Sequence, residues 1–231
     1  MSDLIKSYYK EAKEGQELTD WCLDKLHEEH DFNFEKTILA TSVCSDEVIR
    51  SATNFRDHMS LKNPFQLGGL AGFPFTGITG LKAFASHVPD DGFAIFLYGP
   101  HIGVSDTGKL GSVLRLGQHS ESSCCGALKG AVTNLSVSEQ AEFDKELDYQ
   151  QWKITDQLAQ FQEEIIGKED PLLEATNKMF ECIDKRIKQL LIQTASHFEG
   201  NKVALVGGII INTDVGQPDW FDLREFSVQS F

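Results

Sequence analysis

An α/β fold with a mostly parallel central sheet and flanking helices is what this sequence predicts, on three observations. Three apolar runs, 37–43 (TILATSV), 93–98 (FAIFLY) and 203–212 (VALVGGIIIN), read as strands buried on both faces. Stretches with helical spacing separate and flank them. The chain of 231 residues shows no internal repeat and no low-complexity linker, so one domain is expected over 1–231. Strands that alternate with helices give a parallel sheet.

The elements follow in order. Residues 4–29 place Leu4, Tyr8, Leu18, Cys22 and Leu26 on one helical stripe, broken near Gly15, which gives a helical N-terminal part over 1–36. The strand 37–43 comes next. Ser45 can cap a helix running to about residue 59, with Asp46 and Glu47 in its first turn and Val48, Ala52 and Phe55 inward. Residues 112–116 suit a short strand and 124–135 a helix. A long helix is expected within 138–166, with Phe143, Leu147, Ile154, Leu158, Phe161 and Ile165 as its stripe. Asp170-Pro171 opens another, with Leu172, Met179, Ile183, Ile187, Leu190 and Thr194 inward, and Gly200-Asn201 stops it. Residues 223–228 read as an edge strand.

Charge is unevenly spread. The chain has 35 acids and 21 bases, a formal charge of -14, which argues against a nucleic-acid coat or an anionic membrane partner. Residues 1–60 hold 13 acids and 7 bases, and 136–200 hold 14 and 7, whereas 61–135 hold 4 and 5. That neutral centre also carries 13 of the 19 glycines, so chemistry is expected in a core spanning 37–135. No apolar run reaches the ~20 residues of a membrane span. The acid-containing start lacks secretory or transit character, so a soluble intracellular protein is expected. Five cysteines cannot all pair within the chain and suit reduced thiols or metal ligands.

Three candidate ligands stand at or beyond strand ends, where an open parallel sheet forms its crevice. They are Cys44 after 37–43, His101 after 93–98, and Cys125 at the start of a helix. Two thiolates and an imidazole suit Zn²⁺ and leave a fourth position for water, which the ion would activate. The competing readings are a small core cysteine and a capped loop histidine. Asp46 and Arg50 share a helix face at i, i+4. They read either as a surface ion pair or as a pair in which Arg50 holds Asp46 to accept a proton from the water. His87 is a candidate proton shuttle or an exposed loop histidine. Phe73 and Phe75, in the run 68–80 (GGLAGFPFTGITG), could wall a small apolar pocket, though that run matches no nucleotide-binding pattern. Cys22 and Cys182 fall on helical stripes and read as core thiols. Cys125 as a helix N-terminal nucleophile is a separate thiol-enzyme reading.

The stretches GGLAGFPFTGITG, HVPDDG, FLYGPHIGV and SSCCGA, in that order over roughly 38–135, resemble the low-CO2-inducible B/C proteins, a β-carbonic anhydrase-like family also called the θ class. The β-class pattern Cys-x-Asp-x-Arg is met by Cys44-Ser45-Asp46, but Val48 stands at the arginine position and Arg50 is the nearest substitute. The pattern His-x-x-Cys-Gly is met by Cys125-Gly126, but Ser122 stands at the histidine position. The resemblance implies that His101 is the relocated ligand, with His87 second, and that Cys124 is the alternative to Cys125. It implies a β-carbonic anhydrase-like fold, a Zn²⁺ cofactor, and reversible hydration of CO2 to bicarbonate. It also implies a homodimer, or a hetero-oligomer with a paralogue, and the plastid stroma as a candidate compartment. The family includes inactive members, so a structural role in inorganic-carbon handling is the alternative.

Overall fold

The computed structural model describes residues 1–51, 53–60, 63–137 and 143–231, without the side chains of 50 and 51. The three apolar runs form β2 (Thr37–Ser42), β4 (Phe93–Tyr98) and β8 (Lys202–Asn212). They lie side by side and parallel, Thr37 opposite Phe93 and Phe93 opposite Lys202. Nearly every residue of the three is buried, which is why the runs lack polar alternation. Two short strands, β3 (Phe65–Gln66) and β5 (His101–Gly103), add in parallel to β2 and β8. β9 (Trp220–Ser230) returns antiparallel along the length of β8, and β1 (Lys13–Glu14) covers only its first two residues. The sheet order is β1-β9-β8-β4-β2-β3, so the predicted edge strand is longer than expected and edge-like over most of its length. β6 (Ser112–Val113) and β7 (Ser122–Ser123) form a separate antiparallel pair.

The helices are α1 (Ser2–Tyr8), α2 (Gly15–His30), α3 (Gly77–Ala85), α4 (Gly126–Leu135), α5 (Tyr149–Ala159), α6 (Gln162–Ile166) and α7 (Pro171–Thr194). α7 opens at Pro171 as predicted, because proline's fixed φ suits a first helical position and its missing N–H has no partner to lose. Ala175, Met179, Ile183, Ile187 and Leu190 form its buried stripe. α7 packs on α3, α4, α5, α6 and β8, whereas α2 packs on β9.

Four local expectations change. The segment after β2 is no α-helix but two short 3-10 turns, Glu47–Ser51 and Phe55–His58. The Asp46 carboxylate accepts the Val48 N–H at 3.3 Å, as a cap residue does at the start of a turn. Ala52, expected inward there, lies outside the described residues. The single helix expected within 138–166 is α5 and α6 with a break at Gln160-Phe161, and 138–142 lie outside the description. The strand expected over 112–116 ends at Val113. The glycine run 68–80 is not all loop, since α3 begins at Gly77.

Two glycines let backbone approach backbone beside the future site. A Cβ on Gly68 would stand 2.5 Å from the Val43 carbonyl oxygen, and one on Gly99 would stand 1.7 Å from that of Gly208. Gly68 seats the glycine-rich loop on the end of β2. Gly99 packs the β4–β5 link onto β8 and so places His101.

Candidate metal centre

The ends of three chain segments meet at one edge of the sheet. Cys44 follows β2 by two residues. His101 opens β5, directly after Gly99-Pro100, and pairs in register with Ile210 of β8. Cys125 is the N-cap residue of α4. All three are buried, and their ligating atoms lie within 4.8 Å of one another. The Cys44 and Cys125 sulfurs are 3.9 Å apart. Two sulfurs each ~2.3 Å from a tetrahedral Zn²⁺ would stand about 3.8 Å apart.

Asn212, the last residue of β8, orients the imidazole. Its Nδ2 donates to the Val48 carbonyl at 3.2 Å, which turns Oδ1 toward His101 Nδ1 at 2.8 Å. Nδ1 therefore carries a proton, and Nε2 is the nitrogen left for another contact. His101 is wholly buried, and Nε2 has no hydrogen-bond partner. A buried nitrogen without a partner is costly in a core and ordinary for a metal ligand. On this observation the residues fit a thiophilic divalent cation.

The electrostatics agree. A hydrogen bond from Cys125 outweighs burial and, with help from His101, holds Cys44 down at about 4, as a thiolate. Giving that bond, together with burial, pushes Cys125 well up, the wrong direction for a thiolate nucleophile. Burial disfavours charge on His101, but the Cys125 and Cys124 sulfurs outweigh it and raise the ring well above its usual range. The pocket thus calls for positive charge beside its sulfurs.

Asp46 stands just outside this triad. Its Oδ2 lies 4.0 Å from His101 Nε2 and 2.8 Å from Arg115 Nη2. Burial would raise its carboxyl, but the His101 charge and the Arg115 bond outweigh that and hold it low. Arg115 also bonds Glu47 at 2.9 Å and the Ser122 hydroxyl. Arg50, the partner expected for Asp46, has its side chain outside the described residues, and its turn is 3-10, so the predicted α-helical i, i+4 face does not form.

The remaining candidates separate. Cys124 turns its sulfur to His101 Nδ1 at 3.4 Å and to Asn212 Oδ1 at 3.6 Å. Among the described residues it could share a second, overlapping cluster with Asp46 and His101. His87 is exposed beyond α3, its ring 5.8 Å from that of Phe65, and belongs to neither cluster. Burial pushes Cys22 up to about 12 and Cys182 to about 11, as core thiols. A cleft of about 360 Å³ opens on Cys44 and Asp46, with Val43, Ile49, Leu97 and Ile210 among its walls. Phe73 and Phe75 are not among them: their rings pack on each other at 5.2 Å, and Phe75 packs on Tyr149.

Sequence reading missed Arg115 and Asn212. Arg115 is the single arginine in the near-neutral stretch 61–135, and Asn212 is the one polar side chain closing an apolar strand. Both were visible signals. If the cluster holds a divalent metal, Asn212→Ala is expected to weaken its affinity by about 10–100-fold while leaving the fold intact, as measured by competition with a chelator.

No helix among the described residues is long and apolar enough to cross a membrane. No curated protein sequence matches the chain. Residues 17–230 match the family model of the limiting CO2-inducible proteins B/C, beta carbonic anhydrases. The crystal structure of PtLCIB4, a homologue of the limiting CO2-inducible protein LCIB, is 33% identical with a TM-score of 0.91, covering 100% of this chain and 96% of that one. A histidine-to-alanine mutant of PtLCIB4 gives 32% and 0.90, over 99% and 93%. LCIB itself, 19% identical over 96% of this chain and 92% of its own, shares the fold at a TM-score of 0.70. With nearly its whole length matched, the chain belongs to the limiting CO2-inducible protein B/C family of β-carbonic anhydrases.

Proposed function

We propose that the protein is a zinc-dependent carbonic anhydrase that interconverts CO2 and bicarbonate, with Cys44, His101 and Cys125 as the metal ligands. The observation that carries this reading is the partnerless His101 Nε2 beside two sulfurs, with Asp46 drawn aside by Arg115. Three protein ligands and a carboxylate already engaged elsewhere leave the fourth position open. Zn²⁺ held there supplies an activated water for attack on CO2 near neutral pH.

The chain's own residues do the rest. Asp46 is a carboxylate at neutral pH and accepts a proton from the attacking water, which orients the water's lone pair. Arg115 fixes the carboxylate while it does so. Val43, Ile49, Leu97 and Ile210 give CO2 an apolar wall. His87 would relay the released proton to buffer, from beside β3, whose Gln66 lines the cleft. A homodimer, or a mixed assembly with a paralogue, is the assembly this reading carries.

Stopped-flow CO2 hydration tests the proposal. Zinc-loaded protein is expected to be active, and His87→Ala to lower kcat in weak buffer and recover in concentrated imidazole. Protein with full zinc and no hydration activity would contradict the enzyme reading. His87→Ala with unchanged kcat in weak buffer would remove the shuttle alone.

A further inference from the structure

Arg115 acts on Asp46 from an irregular loop, 114–121, between β6 and β7. An arginine on a loop is useful only if the loop is held. The backbone just before Arg115 is tied to Asp214. The Leu114 N–H donates to Asp214 Oδ1 at 2.7 Å, and the Asp106 N–H donates to Oδ2 at 3.0 Å. The Val215 N–H donates to the Leu114 carbonyl at 2.9 Å, so Leu114 is gripped on both its donor and its acceptor.

Asp214 is itself fixed. It follows the end of β8 by two residues and is buried. Its carbonyl accepts the Gln217 N–H at 3.0 Å, and the Thr213 N–H donates to the Asp219 side chain at 3.0 Å. Among the described residues no cation pairs with Asp214, so its charge meets only backbone donors. Both carboxylate oxygens accept, and asparagine cannot replace that: its NH2 would face one of the two N–H groups. The same strand end carries Asn212, which orients His101. One strand terminus therefore serves both sides of the centre.

We propose that Asp214 is a positioning residue for the hydration reaction, holding the loop that delivers Arg115 to Asp46. The inference rests on the proposed function, in which Arg115 fixes Asp46 for proton acceptance.

The test is a double-mutant cycle on the zinc-loaded chain, read by stopped-flow CO2 hydration. D214N is expected to lower kcat about tenfold or more, with KM and zinc content unchanged. In the R115A background it is expected to cost nothing further, since its effect passes through Arg115. A D214N protein with unchanged kcat, or one losing the same factor without Arg115, overturns the role. A wild type that holds zinc yet hydrates no CO2 overturns the proposed function instead. The crystal structure of D214N then decides the matter: loss of the 2.8 Å Arg115–Asp46 bond supports the role, and its retention overturns it. If D214N does not fold, amide exchange in the wild type takes its place. Slow exchange at Leu114 and Asp106 is expected, and fast exchange at both overturns the clamp.

Discussion

Cys44→Ser, Cys125→Ser and His101→Ala are each expected to lose bound zinc and to reduce CO2 hydration to the uncatalysed rate. The cause is the donor set. With two protein ligands left, the ion loses a strong bond and its tetrahedral frame. The substitutions also differ from one another in a useful way. Serine keeps the shape of either cysteine, so the fold should survive and the loss should read as metal loss. His101→Ala removes a buried ring that also bonds Asn212, so some loss of thermal stability is expected with it. Cys124→Ser is the control: its sulfur faces the Nδ1 side of the ring, so zinc content is expected to hold. Zinc by mass spectrometry and hydration by stopped flow check all four. Retention of zinc and activity in His101→Ala would remove it from the ligand set.

Arg115→Ala carries the second large effect, a fall in kcat of about a hundredfold with zinc retained. The guanidinium lies 2.8 Å from Asp46 and is mostly buried with it, so screening by solvent is limited. Without it, burial acts unopposed on one side of the carboxyl, and its pKa rises. The carboxylate is the form that accepts the proton. A raised pKa keeps Asp46 protonated to higher pH, so the acid limb of the kcat profile is expected to move upward in pH. An unchanged pH profile with lowered kcat would mean that Arg115 works through shape alone. Arg115→Lys should restore charge but not the simultaneous contacts to Asp46, Glu47 and Ser122, so only partial recovery is expected.

What the sequence made legible was the part governed by local rules. Continuous burial wrote β2, β4 and β8 as apolar runs, and proline placed the start of α7. The cluster of Cys44, His101 and Cys125 was legible because strand ends converge in a parallel sheet, although its reading as a zinc site leaned on the family resemblance. What local rules could not give is pairing across distance. Asp46 and Arg115 lie 69 residues apart, and their contact depends on the loop before β7 folding back toward β2. The predicted pair of Asp46 with Arg50 assumed an α-helix, whereas the segment after Asp46 forms a 3-10 turn. Phe73 and Phe75, read as able to wall a small apolar pocket, line a cleft with Tyr149 and Cys182 and not the one that opens on Cys44 and Asp46. The start of α3 within that run and the packing of α5 turn them elsewhere.

The central claim is a metal centre of two sulfurs and one imidazole with an open fourth position. Zinc K-edge X-ray absorption on the purified, zinc-replete protein measures it directly. The prediction is two sulfurs at about 2.3 Å and two light atoms at about 2.0–2.1 Å, from His101 and solvent. A shell with three sulfurs would bring in Cys124, one with a single sulfur would break the Cys44–Cys125 pair, and either result would contradict the account.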